Sequence, residues 1–379
     1  MVAVEIVFWV AAGLLVYTHL GYPLVLRALV ALRGGRSSPT GAAAPAADPP
    51  LVSLVIAAHD EQQTIEATVL GALALDYPRE RLEVIVASDG STDGTVELAE
   101  RAGADLVLEL PRGGKVTALN AAVERASGEL LAFADANARW RPDALRHLVA
   151  RFADPRVGYV CGQVHFESAE GDNQEGLYWR YEMAVRELES QLAGVTGGNG
   201  AINAVRRDAF VFLPPQRGHD ITMPFTLVKL GWRAVFEPAA EAVERMAATI
   251  DDEFGRKRRM MAGAWGTMLT GGMLSPRGYG PLYSLEIVSH RLLRYASPLL
   301  HLIALAANLA LLGEGRVYTL TLVLQLGLVA AAALAGVLPL APFRVARYYL
   351  AVTAASAAGL WDFIRGGVPL TWEKAAGTR

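Results

Sequence analysis

Residues 51–95 read LVSLVIAAHDEQQTIEATVLGALALDYPRERLEVIVASDGSTDGT, and this segment decides the fold. Two short runs rich in β-branched residues, 52–56 and 82–86, are each followed by small and acidic residues. Residues 64–75 lie between them and place apolar side chains at helical spacing: Ile65, Val69, Leu70 and Leu73. This order predicts a βαβ unit whose two strands are parallel and buried.

Acidic side chains follow both predicted strands. His59, Asp60 and Glu61 come after the first strand, and Asp89 comes after the second. In open parallel sheets, ligands bind beyond the carboxyl ends of the strands. Carboxylates at that edge accept hydrogen bonds from a base edge and a ribose. They therefore suit the base-and-sugar half of a nucleotide better than its phosphates.

Composition limits the possible architectures and partners. The chain has 379 residues, 53% of them hydrophobic, which is typical of two domains or of one domain with membrane segments. The net charge of −3 argues against a nucleic-acid partner held through its phosphates. Cys161 is the single cysteine, which excludes an intrachain disulfide and indicates a buried apolar role.

The N-terminal residues are predicted to anchor the chain in a membrane. Residues 2–26 are apolar apart from Glu5 and His19, and about 20 residues suffice to cross a bilayer. They lack the basic start and the small-residue cleavage site of a signal peptide. Three arginines follow: Arg27, Arg33 and Arg36. The positive-inside rule then places the next segment in the cytoplasm.

A third strand end is predicted after residues 130–134. This buried run leads directly into Asp135-Ala136-Asn137. A carboxylate one residue away from a second oxygen ligand, at a strand end, reaches a divalent cation that bridges two phosphates. Asp135 and Asn137 are therefore candidate metal ligands.

Four motifs, taken in order, resemble a family 2 glycosyltransferase: AAHDE, SDGSTDGT, GGKxxALN and FADAN. The membrane-integrated branch, similar to the cellulose, chitin, hyaluronan and poly-N-acetylglucosamine synthases, matches furthest, over roughly residues 50–300. The resemblance implies an α/β fold of the GT-A type. This is a Rossmann-like mixed sheet, mostly parallel, accompanied by interfacial and transmembrane helices.

The resemblance also implies a reaction and a set of donor contacts. A sugar would pass, with inversion, from a UDP-sugar to an acceptor, with Mg²⁺ or Mn²⁺ as cofactor. The implied nucleotide-sugar contacts are Ala58, Asp60, Glu61, Asp89, Lys115, Asp135, Arg256 and Arg259.

The second half of the chain is expected to bind the acceptor. The stretch TGGNGA, residues 196–201, has three glycines in four residues, which permits close approach of the backbone to a ligand. In the resembled family this stretch forms the floor of the acceptor pocket. The expected acceptor contacts are Gly198, Asn199, Trp232 and Met260.

Asp220 is the candidate catalytic base. The sequence HDI at residues 219–221, followed by GWRAVFEP at 231–238, resembles the acidic motif of the family with its helix and strand. Inverting displacement needs one base to take the acceptor hydroxyl proton. The family has two acidic residues here, whereas this chain has His219 first, so the tuning of the Asp220 pKa is an open question. The alternative is that Asp220 only caps its helix.

Two further features have two interpretations each. Glu182 and Glu189, seven residues apart on one helix face, are either a solvated acidic stripe or functional.

Arg256 and Arg259 either clamp a diphosphate or belong to a basic amphipathic helix on an anionic bilayer. Processive relatives carry Gln-x-x-Arg-Trp at this position. Met260 replaces that tryptophan, which leaves processivity open.

The C-terminal part is predicted to return to the membrane. The uncharged stretches 295–313 and 317–343 are long enough to span it. The run 348–361 is shorter and either spans or is re-entrant. The expected organisation is an anchor at 1–36, a linker at 37–50, a GT-A domain at 51–250, interfacial helices at 251–293 and a transmembrane region at 294–379.

The sequence thus predicts a multi-pass enzyme of a bacterial plasma membrane with its catalytic domain in the cytoplasm. It would extend a polysaccharide or a lipid-linked glycan, and export or polymerisation subunits are its candidate protein partners. Two alternatives stay open. One is a single-addition transferase acting on a polyprenyl-linked sugar, and the other is a non-catalytic subunit that only binds nucleotide sugar.

Overall fold

The computed structural model describes residues 1–34, 48–167, 174–245, 250–338 and 340–366. The predicted linker therefore lies outside the described residues, except for its last three positions, 48–50. The helices, in chain order, are α1 Val2–Leu32, α2 Ile65–Leu73, α3 Thr95–Arg101, α4 Lys115–Arg125, α5 Ala144–Arg151, α6 Gln174–Leu192, α7 His219–Lys229, α8 Ile250–Thr270, α9 Pro281–Tyr295, α10 Ser297–Ala310, α11 Arg316–Leu334 and α12 Ala341–Gly366.

Eight strands in the described part of the chain form one mixed sheet. Their spatial order is β3 Leu106–Leu110, β2 Leu82–Asp89, β1 Val52–Ala58, β4 Leu130–Asp135, β7 Asn203–Arg206, β6 Val157–Glu167, β8 Arg233–Arg245 and β5 Arg139–Trp140. The first four are parallel to one another, and β6 is parallel to β8. β7 is antiparallel to both of its neighbours, and β5 is antiparallel to β8. The predicted mixed, mostly parallel sheet is confirmed.

Helices cover both faces of this sheet. Every residue of β1 is buried, as expected for a continuous apolar run between two helical layers. Leu54 and Ile56 face the layer that contains α2, α3 and α5. Val55 and Ala57 face the layer that contains α4 and α7. Cys161 is also buried in this second core, as predicted.

One of the apolar residues that indicated helix α2 does not join the core. Leu70 is 52% exposed. The helix instead buries a narrow stripe that contains Thr68 and Val69. The Thr68 hydroxyl donates to the carbonyl of Ala136 at 2.7 Å, which fixes the rotation of α2 about its axis. Leu70 follows Val69 by one residue, or about 100° around the helix, and so points to solvent.

Two described helices are long and apolar enough to cross a membrane, α1 and α11. Together α9 and α10 also pass this test, but they bend by 64° at their junction. The predicted span at 295–313 lies mostly in α10, and its crossing of a membrane stays a prediction. Pro298 lies in the first turn of α10, where it cannot donate a backbone hydrogen bond that would continue α9.

The run 348–361 falls within α12, which packs against α8. The indole nitrogen of Trp265 donates to the carbonyl of Ser356 at 3.0 Å. Arg258 donates twice to the Asp362 carboxylate, each time at 2.6 Å. Gly359 lies at the crossing point, where an added Cβ would be 2.7 Å from the Cβ of Met261. Close approach of the two helices therefore depends on this glycine.

We predict that Gly359→Ala lowers the thermal unfolding midpoint of the detergent-solubilised protein. Alanine favours a helix over glycine by about 1 kcal/mol, but overpacking of a close contact costs about 1–3 kcal/mol. The matched control is Gly327→Ala in α11, where an added Cβ meets nothing within 4 Å. Equal midpoints for the two variants in a thermal scan would contradict the close packing of α8 and α12.

Candidate active site at one edge of the sheet

Asp89, the last residue of β2, organises the first part of the site. Its carboxylate is 1% exposed and accepts the backbone N–H groups of Gly113 at 2.7 Å and Gly114 at 2.9 Å. Arg112 lies 3.3 Å from its second oxygen. Gly114 has a φ of 91°, a left-handed conformation that favours glycine. The structure thus uses Asp89 to fix the turn that leads into Lys115.

The loop after β1 is joined to the loop after β2. Asp60 accepts the backbone N–H of Thr92 at 2.7 Å, and His59 Nδ1 lies 2.9 Å from the carbonyl oxygen of Asp89. The N–H of Glu61 donates to a threonine hydroxyl at 2.7 Å. Ala58 is buried beside the end of β2. These contacts bring the predicted donor residues of both strand ends together.

Lys115 and Asp135 form an ion pair at the third strand end. Burial alone would lower the pKa of Lys115, but the Asp135 carboxylate beside it, with the charges of Asp220 and Glu244, raises that pKa above its usual value. Lys115 therefore stays protonated. An added Cβ on Gly200 would lie 2.8 Å from its Nζ and 2.9 Å from Asp135 Oδ2, so the glycine-rich loop crosses directly over this pair.

The donor set at this strand end fits a divalent cation. Asp135 is half-buried, and the partly exposed Asn137 follows two residues later. Among the described residues, no three His, Cys, Asp or Glu side chains are grouped closely enough to hold a metal ion. Mg²⁺ does not require such a group, because one or two carboxylates suffice when phosphates supply further oxygens.

Asp220 lies in the first turn of α7. The N-cap residue is Gly218, and no side chain caps this helix, so the capping alternative for Asp220 was wrong. Its backbone carbonyl accepts the N–H of Gly198 at 2.8 Å. Its carboxylate has no hydrogen-bond partner among the side chains and backbone groups described, and it acts electrostatically on Lys115. The structure thus brings Asp220 to the same site as Asp135.

His219 does not replace the missing acid. Its ring packs against Phe133 with the centroids 4.6 Å apart, and against Phe210 at 6.2 Å. Burial, aided by the charge of Lys115, lowers the pKa of His219 to about 3. It is therefore a neutral packing residue at physiological pH.

The predicted acceptor residues are not all brought together. Gly198 lies in the site, where an added Cβ would be 1.8 Å from the Tyr159 hydroxyl. Asn199 is buried and braces the loop, donating to the Gly162 carbonyl at 2.8 Å. Trp232 precedes β8 and lies at the opposite edge of the sheet. Its Cβ is 2.8 Å from the position that an added Cβ on Gly158 would take.

The predicted residues on α8 lie at the surface. Met260 is 54% exposed, Arg259 is exposed, and Arg256 Nη1 is 3.8 Å from the Met260 sulfur. The opposite end of α8 packs on α7, with Thr267 and Thr222 hydroxyls 3.5 Å apart. The side chains of Met260, Arg259 and Arg256 therefore lie away from the part of α8 that contacts α7, the helix that carries Asp220.

Glu182 and Glu189 are both buried, so the interpretation as a solvated stripe was wrong. Their partners lie on α9: His290 is 3.1 Å from Glu182 and 2.6 Å from Glu189. Sequence reasoning missed the role of His290, and it also missed Arg112 and Gly200. For the last two, the available signals were the GGK turn and the third glycine of TGGNG.

Comparison with known proteins identifies a domain within this chain. Residues 53–212 match the family described as glycosyl transferase family 2. The poly-beta-1,6-N-acetyl-D-glucosamine synthase of Staphylococcus aureus is 26% identical over 201 residues, which are 50% of this chain and 48% of that protein. The beta-monoglucosyldiacylglycerol synthase of a Nostoc species is 32% identical over 174 residues, 42% of this chain and 36% of that protein. The chain thus spans less than half the length of these relatives.

A solved structure matches almost the whole chain. It is a mannosyltransferase from Pyrobaculum calidifontis in complex with GDP-Man and Mn²⁺. The two proteins are 25% identical with a TM-score of 0.71, and the match covers 94% of this chain and 99% of the other. The expected family 2 domain and the GT-A fold with membrane helices are confirmed.

We predict that His219→Phe flattens the pH dependence of stability on the acidic side. The folded pKa is about 3 and the ordinary value is 6.5, so the unfolded chain binds a proton that the folded chain does not. Stability is therefore lost as the pH falls below 6.5. Thermal midpoints at about pH 7.5 and about pH 5 should differ less in the variant than in the wild type. His147→Asn, on α5, is the control, and an unchanged difference in His219→Phe would contradict the assignment.

Proposed function

We propose that this chain, which carries a glycosyl transferase family 2 domain at residues 53–212, transfers a sugar from a nucleoside-diphosphate sugar to a membrane-associated acceptor. One observation carries the proposal. Two glycines of a single loop contact the two groups of candidate residues. The N–H of Gly198 donates to the backbone carbonyl of Asp220, and the backbone of Gly200 covers the Lys115–Asp135 pair. A donor diphosphate and an acceptor hydroxyl would meet beneath this loop.

The donor half would be held by the joined ends of β1 and β2. Asp60 retains a partly exposed carboxylate, which suits a base edge or ribose. The protonated Lys115 suits a diphosphate oxygen. UDP is the nucleotide that the family resemblance implies, whereas the Pyrobaculum calidifontis mannosyltransferase was solved with GDP-Man. We therefore propose UDP- and GDP-sugars as the two donor classes to be compared.

Asp135 and Asn137 would hold a Mg²⁺ or Mn²⁺ ion. Bound there, the ion would neutralise the negative charge that develops on the diphosphate leaving group. The presence of Mn²⁺ in the structure of the mannosyltransferase supports this assignment. Lys115, which is paired with the same carboxylate, places a second positive charge beside the leaving group.

Asp220 would act as the base. It takes the proton of the acceptor hydroxyl while that oxygen forms a bond to the anomeric carbon. The bond between the anomeric carbon and the diphosphate breaks, and its electron pair leaves with the diphosphate. Attack opposite the leaving group inverts the anomeric configuration.

The nature of the acceptor has two candidates. The named relatives are a polysaccharide synthase and a diacylglycerol glycolipid synthase, so either a growing polysaccharide or a lipid-linked glycan is supported. The exposed Met260, which stands where processive relatives have tryptophan, favours a single addition to a polyprenyl-linked sugar. Colocation of Asp89, Asp135 and Asp220 at one edge disfavours a non-catalytic subunit.

We predict that Asp220→Asn lowers kcat by about 10²–10⁴-fold, the usual contribution of a general base. Nucleotide binding should be unchanged, because Asp220 is separated from the donor side by the glycine-rich loop. The measurement is turnover of purified protein in lipid with Mg²⁺ or Mn²⁺, a polyprenyl-linked acceptor and labelled UDP- and GDP-sugars. Asp208→Asn, at an exposed position, is the matched control.

Mass analysis of the product separates the candidates. A ladder would show a processive synthase, and one added sugar would show a single-addition transferase. Nucleotide binding without turnover for any donor would favour the non-catalytic subunit. Full turnover by Asp220→Asn would reject Asp220 as the base.

A further inference from the structure

A single buried carboxylate joins the glycine-rich loop to two helices of the membrane region. Glu189, on α6, is 0% exposed. One of its oxygens accepts the Tyr22 hydroxyl of α1 at 2.6 Å and lies 2.6 Å from His290 Nδ1 on α9. The other oxygen accepts the hydroxyl of Thr196 at 3.2 Å and its backbone N–H at 3.4 Å. Thr196 is the first residue of the TGGNGA stretch.

Thr196 is the point where these contacts reach the loop. It is also 0% exposed, and its hydroxyl oxygen accepts the Nε–H of Arg291 at 2.9 Å. The same oxygen is 3.2 Å from His290 Nδ1. The guanidinium of Arg291 then lies under the next residue, since an added Cβ on Gly197 would be 2.5 Å from Arg291 Nη2. Two consecutive residues of the loop are thus seated on α9.

The two membrane-region helices are fixed to each other at this level. α1 contains a π-helical turn at Tyr17–Gly21, and α9 contains one at Ile287–Leu292. The hydroxyl of Thr18, in the π turn of α1, donates to the carbonyl of Ser289, in the π turn of α9, at 3.0 Å. Such turns occur frequently at functional sites. Together α1 and α9 form one platform beneath the loop.

The loop connects this platform to Asp220, the proposed base. Two residues beyond Thr196, the N–H of Gly198 donates to the Asp220 carbonyl at 2.8 Å. Arg186, also on α6, donates to the carbonyl of Gly198 at 3.1 Å. The first turn of α7 is therefore hydrogen-bonded, through one short segment, to the platform.

Stability alone does not explain this arrangement. Burial of a carboxylate costs several kcal/mol, and replacement of buried ionic groups by apolar residues is often neutral or stabilising. Directional hydrogen bonds, by contrast, fix the register of the groups that they join. A buried network that ends at the backbone partner of a catalytic base is better explained by positioning.

We propose that Glu189 and Thr196 are positioning residues that hold the loop, and with it Asp220, in register with α1 and α9. The acceptor side of the site is thereby set by the membrane helices, as suits an acceptor that approaches within the bilayer surface. This inference rests on the proposed function of Asp220, and it predicts that the network acts on the acceptor and leaves the donor unaffected.

Thr196→Val in the full chain, reconstituted in lipid, is the test variant. Valine matches threonine in shape but lacks the hydroxyl that meets Glu189 and Arg291. We expect the acceptor KM to rise by about tenfold, since buried partners are left unsatisfied, while the donor Kd stays unchanged. Thr196→Ser keeps the hydroxyl and should return the acceptor KM to the wild-type value. Glu187→Gln, at an exposed position of α6, is the control.

Hydrogen–deuterium exchange gives a readout that does not depend on turnover. Peptides that contain Gly198 should exchange faster in Thr196→Val, and also in Tyr22→Phe, which removes the α1 hydroxyl and leaves the loop sequence intact. A fall in kcat with unchanged acceptor KM would indicate loss of folded protein only and would overturn the proposal. Unchanged exchange at Gly198 would overturn it as well. If the wild type transfers no sugar, the proposed function fails, and the exchange result still decides the positioning role.

Discussion

The Lys115–Asp135 ion pair occupies the space that a side chain at position 200 would need, and the site depends on this constraint. Gly200 permits the loop to cross within contact of both charges. In the same loop, the N–H of Gly198 donates to the backbone carbonyl of Asp220. The loop therefore lies against the third strand end and against the first turn of α7 at once, and a single glycine at the crossing permits this.

Charge balance explains why so many acids gather at this edge. Asp89 is neutralised by two backbone N–H groups and by Arg112, so it serves as a fixed anchor for the turn before Lys115. Asp135 shares the charge of Lys115. Asp60 accepts the backbone N–H of Thr92 and joins the loops after β1 and β2. Most of these acids thus also fix the backbone at the strand ends.

Local patterns were sufficient to predict the sheet and the strand-end acids. The continuous apolar run of β1 implied burial on both faces, and the edge rule for parallel sheets implied that Asp60, Asp89 and Asp135 would converge. The exposure of Leu70 and the position of Trp232 were not predicted, because helix rotation and the choice of sheet edge depend on distant contacts. The partners of Glu189 lie 167 and 101 residues away, at Tyr22 and His290, and no local spacing reveals them.

The contrast between the two kinds of interface in this chain indicates what the buried polar groups provide. α8 and α12 meet through a close glycine contact and apolar neighbours, with the partly exposed Arg258–Asp362 ion pair at the margin. α1, α6 and α9 instead meet around the fully buried Glu189, although burial of a charged group is costly. Apolar contacts tolerate sliding, whereas a carboxylate with three partners on three segments does not. The chain therefore places its costly, directional contacts beneath the loop that is hydrogen-bonded to the first turn of α7, where they fix the position of Asp220.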